Sequence, residues 1–243
     1  MTPLGIVAAT LKELAAEAGA DPRLQRAAAL AGGLDPYVEA CTTPASDPLA
    51  ALAARTRVHR WQGTLEPEML SGHVEGQLLR FLVRLTRARR VLDVGMFTGY
   101  SALAMAEALP ADGVVVACEV DAEVARFAQE CFAASLAGDK IDVRVGPAAA
   151  TLERLDGAFE MVFIDADKAG YEGYVDTVLE RGLLAPGGLI AVDNTLMQGQ
   201  PWTGEPTSNG VAIAAFNAAV AADPRVEQVL VPVRDGLTLI QRA

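Results

Sequence analysis

Cysteine is scarce in this chain, and the three present, Cys41, Cys118 and Cys131, are an odd number with no CxxC pair among them. That pattern argues against a disulfide framework and against a cysteine-based zinc site, and it fits a reducing, cytoplasmic setting. Basic charge is short as well. Twenty Lys and Arg face 31 Asp and Glu, for a formal net charge of −11 and a pI near 4.7. A nucleic-acid binder needs a basic footprint, and none is visible, so no nucleic-acid partner is expected. The one cationic cluster, Arg84, Arg87, Arg89 and Arg90, reads as a solvated helix end favoured by the helix dipole. Long apolar runs are also missing. No stretch reaches the length of a membrane span, and Lys12-Glu13 interrupts the short apolar run where a signal peptide would sit. Internal repeats and low-complexity tracts are absent too.

What the chain does have is core material. Hydrophobic residues make up 51% of its 243 residues and the mean hydropathy is +0.25, enough for one large domain or a domain with an extension. Leu4, Val7, Ala8, Leu11, Leu14, Ala15 and Ala18 recur at helical spacing, which predicts a helix over 4–19. A second is expected over 22–31, ending at Gly32-Gly33, followed by a turn-rich stretch from Asp35 to Pro48 and a third helix over 48–59. Residues 1–70 thus read as a helical cap that helps form a dimer or a substrate lid.

From His73 onward the pattern becomes a beat of helices and strands. Helices are expected over 73–86, 99–109, 121–136, 147–155, 168–183 and 209–222. Strands are expected over 90–94, 114–119, 141–145, 159–164, 188–193, 225–232 and 236–241. Short turns between alternating elements imply right-handed crossovers and a mainly parallel sheet. The last two strands meet across Val233-Arg234-Asp235-Gly236, a hairpin-type turn, so one of them must run antiparallel. The expected fold is α/β, Rossmann-like, with seven strands of which one is antiparallel.

The organising stretch is VLDVGMFTGYS, Val91 to Ser101: a buried strand, a glycine turn and a helix start. That is the form of a nucleotide-type cofactor site at the carboxyl end of a strand. Asp93 precedes the turn, and Glu119 ends the next strand, where an acid can accept from two ribose hydroxyls. The turn is not G-x-G-x-x-G, and Phe97 would block a pyrophosphate that Asp93 would also repel. A carboxylate there suits a ligand with an ammonium and a sulfonium, S-adenosylmethionine. A plain strand–turn–helix with a solvated Glu119 is the alternative.

Two further strand ends carry acids, Asp165 after FEMVFI and Asp193-Asn194 after GLIAV. Two carboxylates and an amide oxygen are hard ligands suited to Mg²⁺, completed by waters and substrate oxygens. Each alone is also an ordinary turn former. Lys168 stands near Asp165 at a helix start, pointed back toward the crevice. A neighbouring cation disfavours its ammonium form and makes it a candidate general base. Trp61, Trp202 and Tyr171 are candidate pocket walls, each equally readable as core packing. Three rival readings stay open here: an NAD-linked oxidoreductase, a DxD enzyme using Asp165-Ala-Asp167, and a non-catalytic cofactor-binding module.

At Glu75-Gly76-Gln77, VGMFTGYS, FIDADK and VDNTL the chain resembles the cation-dependent O-methyltransferases of the catechol and caffeoyl-CoA type, over roughly residues 69–243. The resemblance implies a class I methyltransferase domain over 71–243 using S-adenosylmethionine. It implies Mg²⁺ at Asp165, Asp193 and Asn194, with Lys168 and Asp165 catalytic. It also implies cofactor contacts at Met69, Ser71, Glu75, Asp93, Gly95, Met96, Tyr100, Ser101, Glu119, Ala148 and Asp165. At position 75 that family varies between an acid and a lysine. It further implies a homodimer and a small vicinal-diol, enediol or catechol substrate. Residues 28–45, with MLSGHVEGQ and GMFTGYSALAMAEALP, are similar to the family's mycosporine-biosynthesis branch. That branch methylates demethyl-4-deoxygadusol to 4-deoxygadusol.

Overall fold

The computed structural model describes residues 2–17, 21–63, 65–204 and 206–243. Among them are nine α-helices and seven strands. The helices are α1 (Pro3–Glu17), α2 (Pro22–Cys41), α3 (Asp47–Val58), α4 (His73–Leu85), α5 (Tyr100–Ala108), α6 (Ala122–Phe132), α7 (Ala148–Leu152), α8 (Tyr171–Glu180) and α9 (Ser208–Ala222). The strands are β1 (Arg90–Val94), β2 (Val114–Glu119), β3 (Ile141–Val145), β4 (Phe159–Ile164), β5 (Leu184–Asp193), β6 (Val226–Val231) and β7 (Leu237–Arg242).

The strands form one sheet in the order β3-β2-β1-β4-β5-β7-β6. All neighbours are parallel except β7, which runs antiparallel to both β5 and β6. The central strands are buried almost end to end, as runs such as VLDV and MVFI require of a sheet covered on both faces. One apolar layer joins Val91, Met161 and Phe163 to α3, α4, α5 and α6. The other joins Leu92, Val94, Val162 and Ile164 to α7, α8 and α9. Among the described residues no helix is long and apolar enough to cross a membrane.

The N-terminal helices differ from expectation. α2 does not stop at Gly32-Gly33 but continues through Pro36 to Cys41. Glycine costs a helix only about 1 kcal/mol each, and α1 lies along this helix at small residues, with Gly32 facing Ala8. Tertiary packing thus outweighs local propensity. The last positions of the expected first helix, 18 and 19, lie outside the described residues. α3 does more than cap: Leu49, Leu52, Ala53 and Thr56 are buried in the first layer. The expected helix over 168–183 is split, with a 3-10 turn at Lys168–Gly170 before α8, and β5 begins earlier than its apolar run.

Register decides what meets at the carboxyl edge. Val94 lies beside both Cys118 and Ile164, and Ile164 lies beside Val192. The next residues, Glu119, Gly95, Asp165 and Asp193, therefore sit side by side on consecutive strands about 4.8 Å apart. The order reverses between β1 and β4, the crevice where open α/β sheets bind ligands.

Candidate active site

Gly95 has φ +94, and a β-carbon there would lie 2.2 Å from the Asp165 carbonyl oxygen, so only glycine allows this turn to close on β4. Its N–H and that of Met96 donate to the Cys118 carbonyl (3.1 and 3.0 Å). Just before it, Asp93 is fully buried, and Ser101 Oγ donates to its Oδ2 at 2.7 Å. The other oxygen, Oδ1, is buried without a partner. A cationic ligand group is the kind of partner that satisfies such an oxygen. Glu119, largely buried, accepts from the Asp121 N–H at 2.9 Å. Phe97 adopts φ +48 and packs on Trp61, whose ring also meets His59 and Phe127.

Other residues expected at the cofactor lie around this crevice in different ways. Ser71 is buried just before α4, Met69 is exposed in the 3-10 turn Pro67–Met69, and Ala148 opens α7 after β3. The Tyr100 ring is buried against Gly76, and Met96 is buried in the first apolar layer.

Burial pushes the Asp93 carboxyl up to about 7, with Ser101 opposing and Asp165 adding to the shift. The ligand-free folded chain then holds a proton that the unfolded chain releases near 3.9, so stability falls as pH rises between those values. Thermal melts of the ligand-free enzyme should drop by roughly 5–10 °C between pH 5 and 8. Glu75 and Asp193, also raised by burial, contribute in the same direction. Asp93→Asn should flatten part of that slope, and an unchanged slope would remove Asp93 as a cause.

On the β4–β5 side, the Lys168 ammonium donates to Asp165 Oδ1 at 2.8 Å, to Asn194 Oδ1 at 2.7 Å and to the Tyr171 hydroxyl at 2.6 Å. Oxygens from two strand ends thus converge on one positive charge. Asn194 adopts φ +59 to turn its amide inward, a conformation asparagine tolerates better than most residues. Asp193 is 5% exposed, and its carboxyl is raised to about 7 by burial and then by Asp165. Glu75, in the first turn of α4, joins them. It is buried, ion-paired to Arg234 at 3.1 Å, and raised well above the carboxylate range by burial and Asp193. Among the described residues the cations that face Asp165, Asp193 and Glu75 are Lys168 and Arg234, so three acids meet two positive charges, a shortfall that a divalent cation fits. Among the described residues no three His, Cys, Asp or Glu side chains gather as a metal cluster. A cation here would rest on two carboxylates and an amide oxygen, the donor set of Mg²⁺.

Two residues had no sequence signal for the positions they take. Tyr171 is not a pocket wall: its ring is fully buried against Phe216, while its hydroxyl links Lys168 to the Asp193 carbonyl (3.1 Å). Arg234 reads in sequence as a turn charge. Asp167 turns to Tyr174 instead of the strand-end acids, which removes the DxD reading. Trp202 is 61% exposed and packs near Gly199.

This strand order, the glycine turn and the acids at consecutive strand ends define a Rossmann-like, class I methyltransferase. The family model described as O-methyltransferase matches residues 42–243. The chain is 36% identical over 213 residues to caffeoyl-CoA O-methyltransferase 1 of Eucalyptus globulus, covering 81% of this chain and 82% of that one. The solved structure of the SAH-bound methyltransferase PaMTH1 of Podospora anserina superimposes with a TM-score of 0.81 at 30% identity, over 88% of this chain and 95% of that one. The O-methyltransferase TomG of Streptomyces achromogenes, solved with SAM, gives 0.70 at 28% identity, over 87% and 96%. The chain belongs to the O-methyltransferase family and is an S-adenosylmethionine-dependent O-methyltransferase.

Proposed function

We propose that this enzyme is Mg²⁺-dependent and methylates one hydroxyl of a small vicinal-dioxygen substrate, demethyl-4-deoxygadusol to 4-deoxygadusol in mycosporine biosynthesis. The observation that carries the reading is the convergence of the Asp165 and Asn194 oxygens on one cationic point beside the Asp193 carboxylate. Asp165, Asp193 and Asn194 would hold the metal, which when bound acidifies a coordinated hydroxyl and fixes two adjacent oxygens. S-adenosylmethionine supplies the electrophilic methyl group. Asp93 attracts its ammonium, Glu119 accepts from its ribose, and the backbone at Gly95 and Met96 borders it. Met69, Ser71, Glu75, Tyr100, Ser101, Ala148 and Asp165 complete its surroundings in this reading.

Lys168 would act as the neutral amine, its own ammonium proton given up to solvent, and take the proton from the attacking hydroxyl, while Tyr171 holds its nitrogen toward the strand ends. The oxyanion would attack the methyl carbon as the carbon–sulfur bond breaks to leave a neutral thioether, so positioning and charge control are the protein's contribution. The reading also takes the enzyme to be a cytoplasmic homodimer; Val7, Leu30, Leu34 and Tyr37 expose apolar surface on α1 and α2 that suits a second subunit.

A phenolic substrate of the catechol or caffeoyl type is the second reading, favoured by the likeness to the Eucalyptus enzyme. The net charge of −11 weighs against coenzyme A, with its several phosphates. A methyl-transfer assay over catechol, caffeoyl-CoA and a cyclohexenone enediol decides between them. The enediol is expected to give the highest kcat/KM. Turnover of either phenolic compound with none of the enediol would overturn the mycosporine assignment.

A further inference from the structure

Arg234 is a cation at the site to which the reaction as described gives no task. It lies in the turn between β6 and β7 with φ +50, a left-handed conformation unfavourable for a side chain of its size. The turn is tied to the segment that follows Asp193 and Asn194. Thr195 N–H donates to the Gly236 carbonyl at 3.1 Å and Leu196 N–H to the Asp235 carbonyl at 2.8 Å. From there the guanidinium reaches the start of α4, where Nη1 lies 3.1 Å from Glu75 Oε2. Gly72 leaves it room, since a β-carbon at that position would stand 2.9 Å from Nη1. A strained backbone, a glycine and a buried acid together hold one guanidinium beside the strand-end ligands.

Neutralising Glu75 does not by itself explain this, because an ion pair replaced by apolar residues is often no less stable. The pair is also incomplete on both sides. A guanidinium carries five N–H donors in a flat fork, and among the described residues its one hydrogen-bond acceptor is Glu75. Its side chain keeps 36% of its surface open. Glu75 Oε1 is buried with no donor. Strain retained at a crevice, with guanidinium donors left unused, points to a ligand that brings acceptor oxygens.

We propose that Arg234 recognises a third, acceptor oxygen of the substrate, a ketone or a carboxylate adjacent to the vicinal pair. It thereby selects enediolones and ortho-diol acids over plain catechols. This rests on the vicinal-dioxygen reading of the site above and adds the residue that discriminates among such substrates.

Three probes test it: catechol, 2,3-dihydroxycyclohex-2-en-1-one and 2,3-dihydroxybenzoate. The kcat/KM of each is measured with wild type, Arg234→Gly and Arg234→Lys. Calorimetric Kd values are taken in parallel with Mg²⁺ and S-adenosylhomocysteine. Glycine suits the left-handed backbone, so Arg234→Gly should fold. The wild-type preference for the two three-oxygen probes over catechol should fall about 10- to 100-fold in Arg234→Gly, in both kcat/KM and Kd. Arg234→Lys should fall between, since it keeps the charge without the fork. Loss with both probes assigns a general acceptor oxygen, and loss with the benzoate alone assigns a carboxylate; either supports the inference. A preference that stays within threefold, whether or not overall turnover drops, overturns it and leaves the dioxygen reading standing. A wild-type enzyme that methylates none of the three overturns both.

Discussion

Exhaustive removal of divalent cations is expected to lower methyl transfer roughly a hundred- to a thousandfold or more, with Mg²⁺ restoring it. The expectation comes from charge placed where water cannot screen it. Asp193 and Glu75 are almost wholly buried, and each is driven toward its neutral form by burial and by the neighbouring acids. Evolution of such a cluster without a strong cation would carry a standing stability penalty. Asp193→Asn keeps the shape of the side chain and removes its charge, so it should weaken Mg²⁺ binding and lower turnover at limiting metal. Added Mg²⁺ should raise the melting temperature of the wild type, an effect that needs no substrate. Full turnover after prolonged EDTA treatment would strip the metal from the mechanism.

Lys168→Ala is expected to lower kcat by about 10²- to 10⁴-fold, the range that a positioned general base contributes. Three acceptors fix its nitrogen, and two of them are the proposed metal ligands Asp165 and Asn194. A cation bound there would compete for those two oxygens, leaving Tyr171 to hold the lysine. Lys168→Arg separates the base from a merely structural charge. Arginine keeps the positive charge but does not release its proton in this range, so it should be nearly as inactive as alanine. S-adenosylmethionine binding, measured by calorimetry, should fall far less than kcat in both variants. An active Lys168→Arg enzyme would assign Lys168 to charge balance instead of proton transfer.

Most of the sheet was legible because its strands are short apolar runs with turn residues at their ends. The bounds of β1, β2, β3 and β4 match the apolar pattern residue for residue. Helix ends were less legible. α2 runs through two glycines and a proline because α1 lies against it, information no local window contains. The split before α8 is of the same kind: the turn at Lys168–Gly170 breaks the helical pattern and brings Lys168 over Asp165.

At the site, the acids in and at the ends of the strands were visible as Asp93, Glu119, Asp165 and Asp193, since a charged residue in or closing an apolar strand stands out. Glu75 and Arg234 were not visible as a pair, being 159 residues apart. Nothing in a turn arginine or a helix-start glutamate distinguishes them from solvated charges. The same holds for Tyr171, whose aromatic ring suggests packing while its hydroxyl joins the lysine.

By itself the sequence determined the alternation of strands and helices, the glycine at the turn after β1, the acid inside β1, and the acids that close β2, β4 and β5. These follow from local chemistry: period, backbone freedom and the rarity of charge in an apolar run. Only the tertiary structure decided which acids become neighbours and which cations face them. Strand register aligns Asp165 with Asp193, and the β6–β7 turn carries Arg234 back to Glu75. Such contacts depend on how distant segments stack, and the free energy of stacking is not written at any single position.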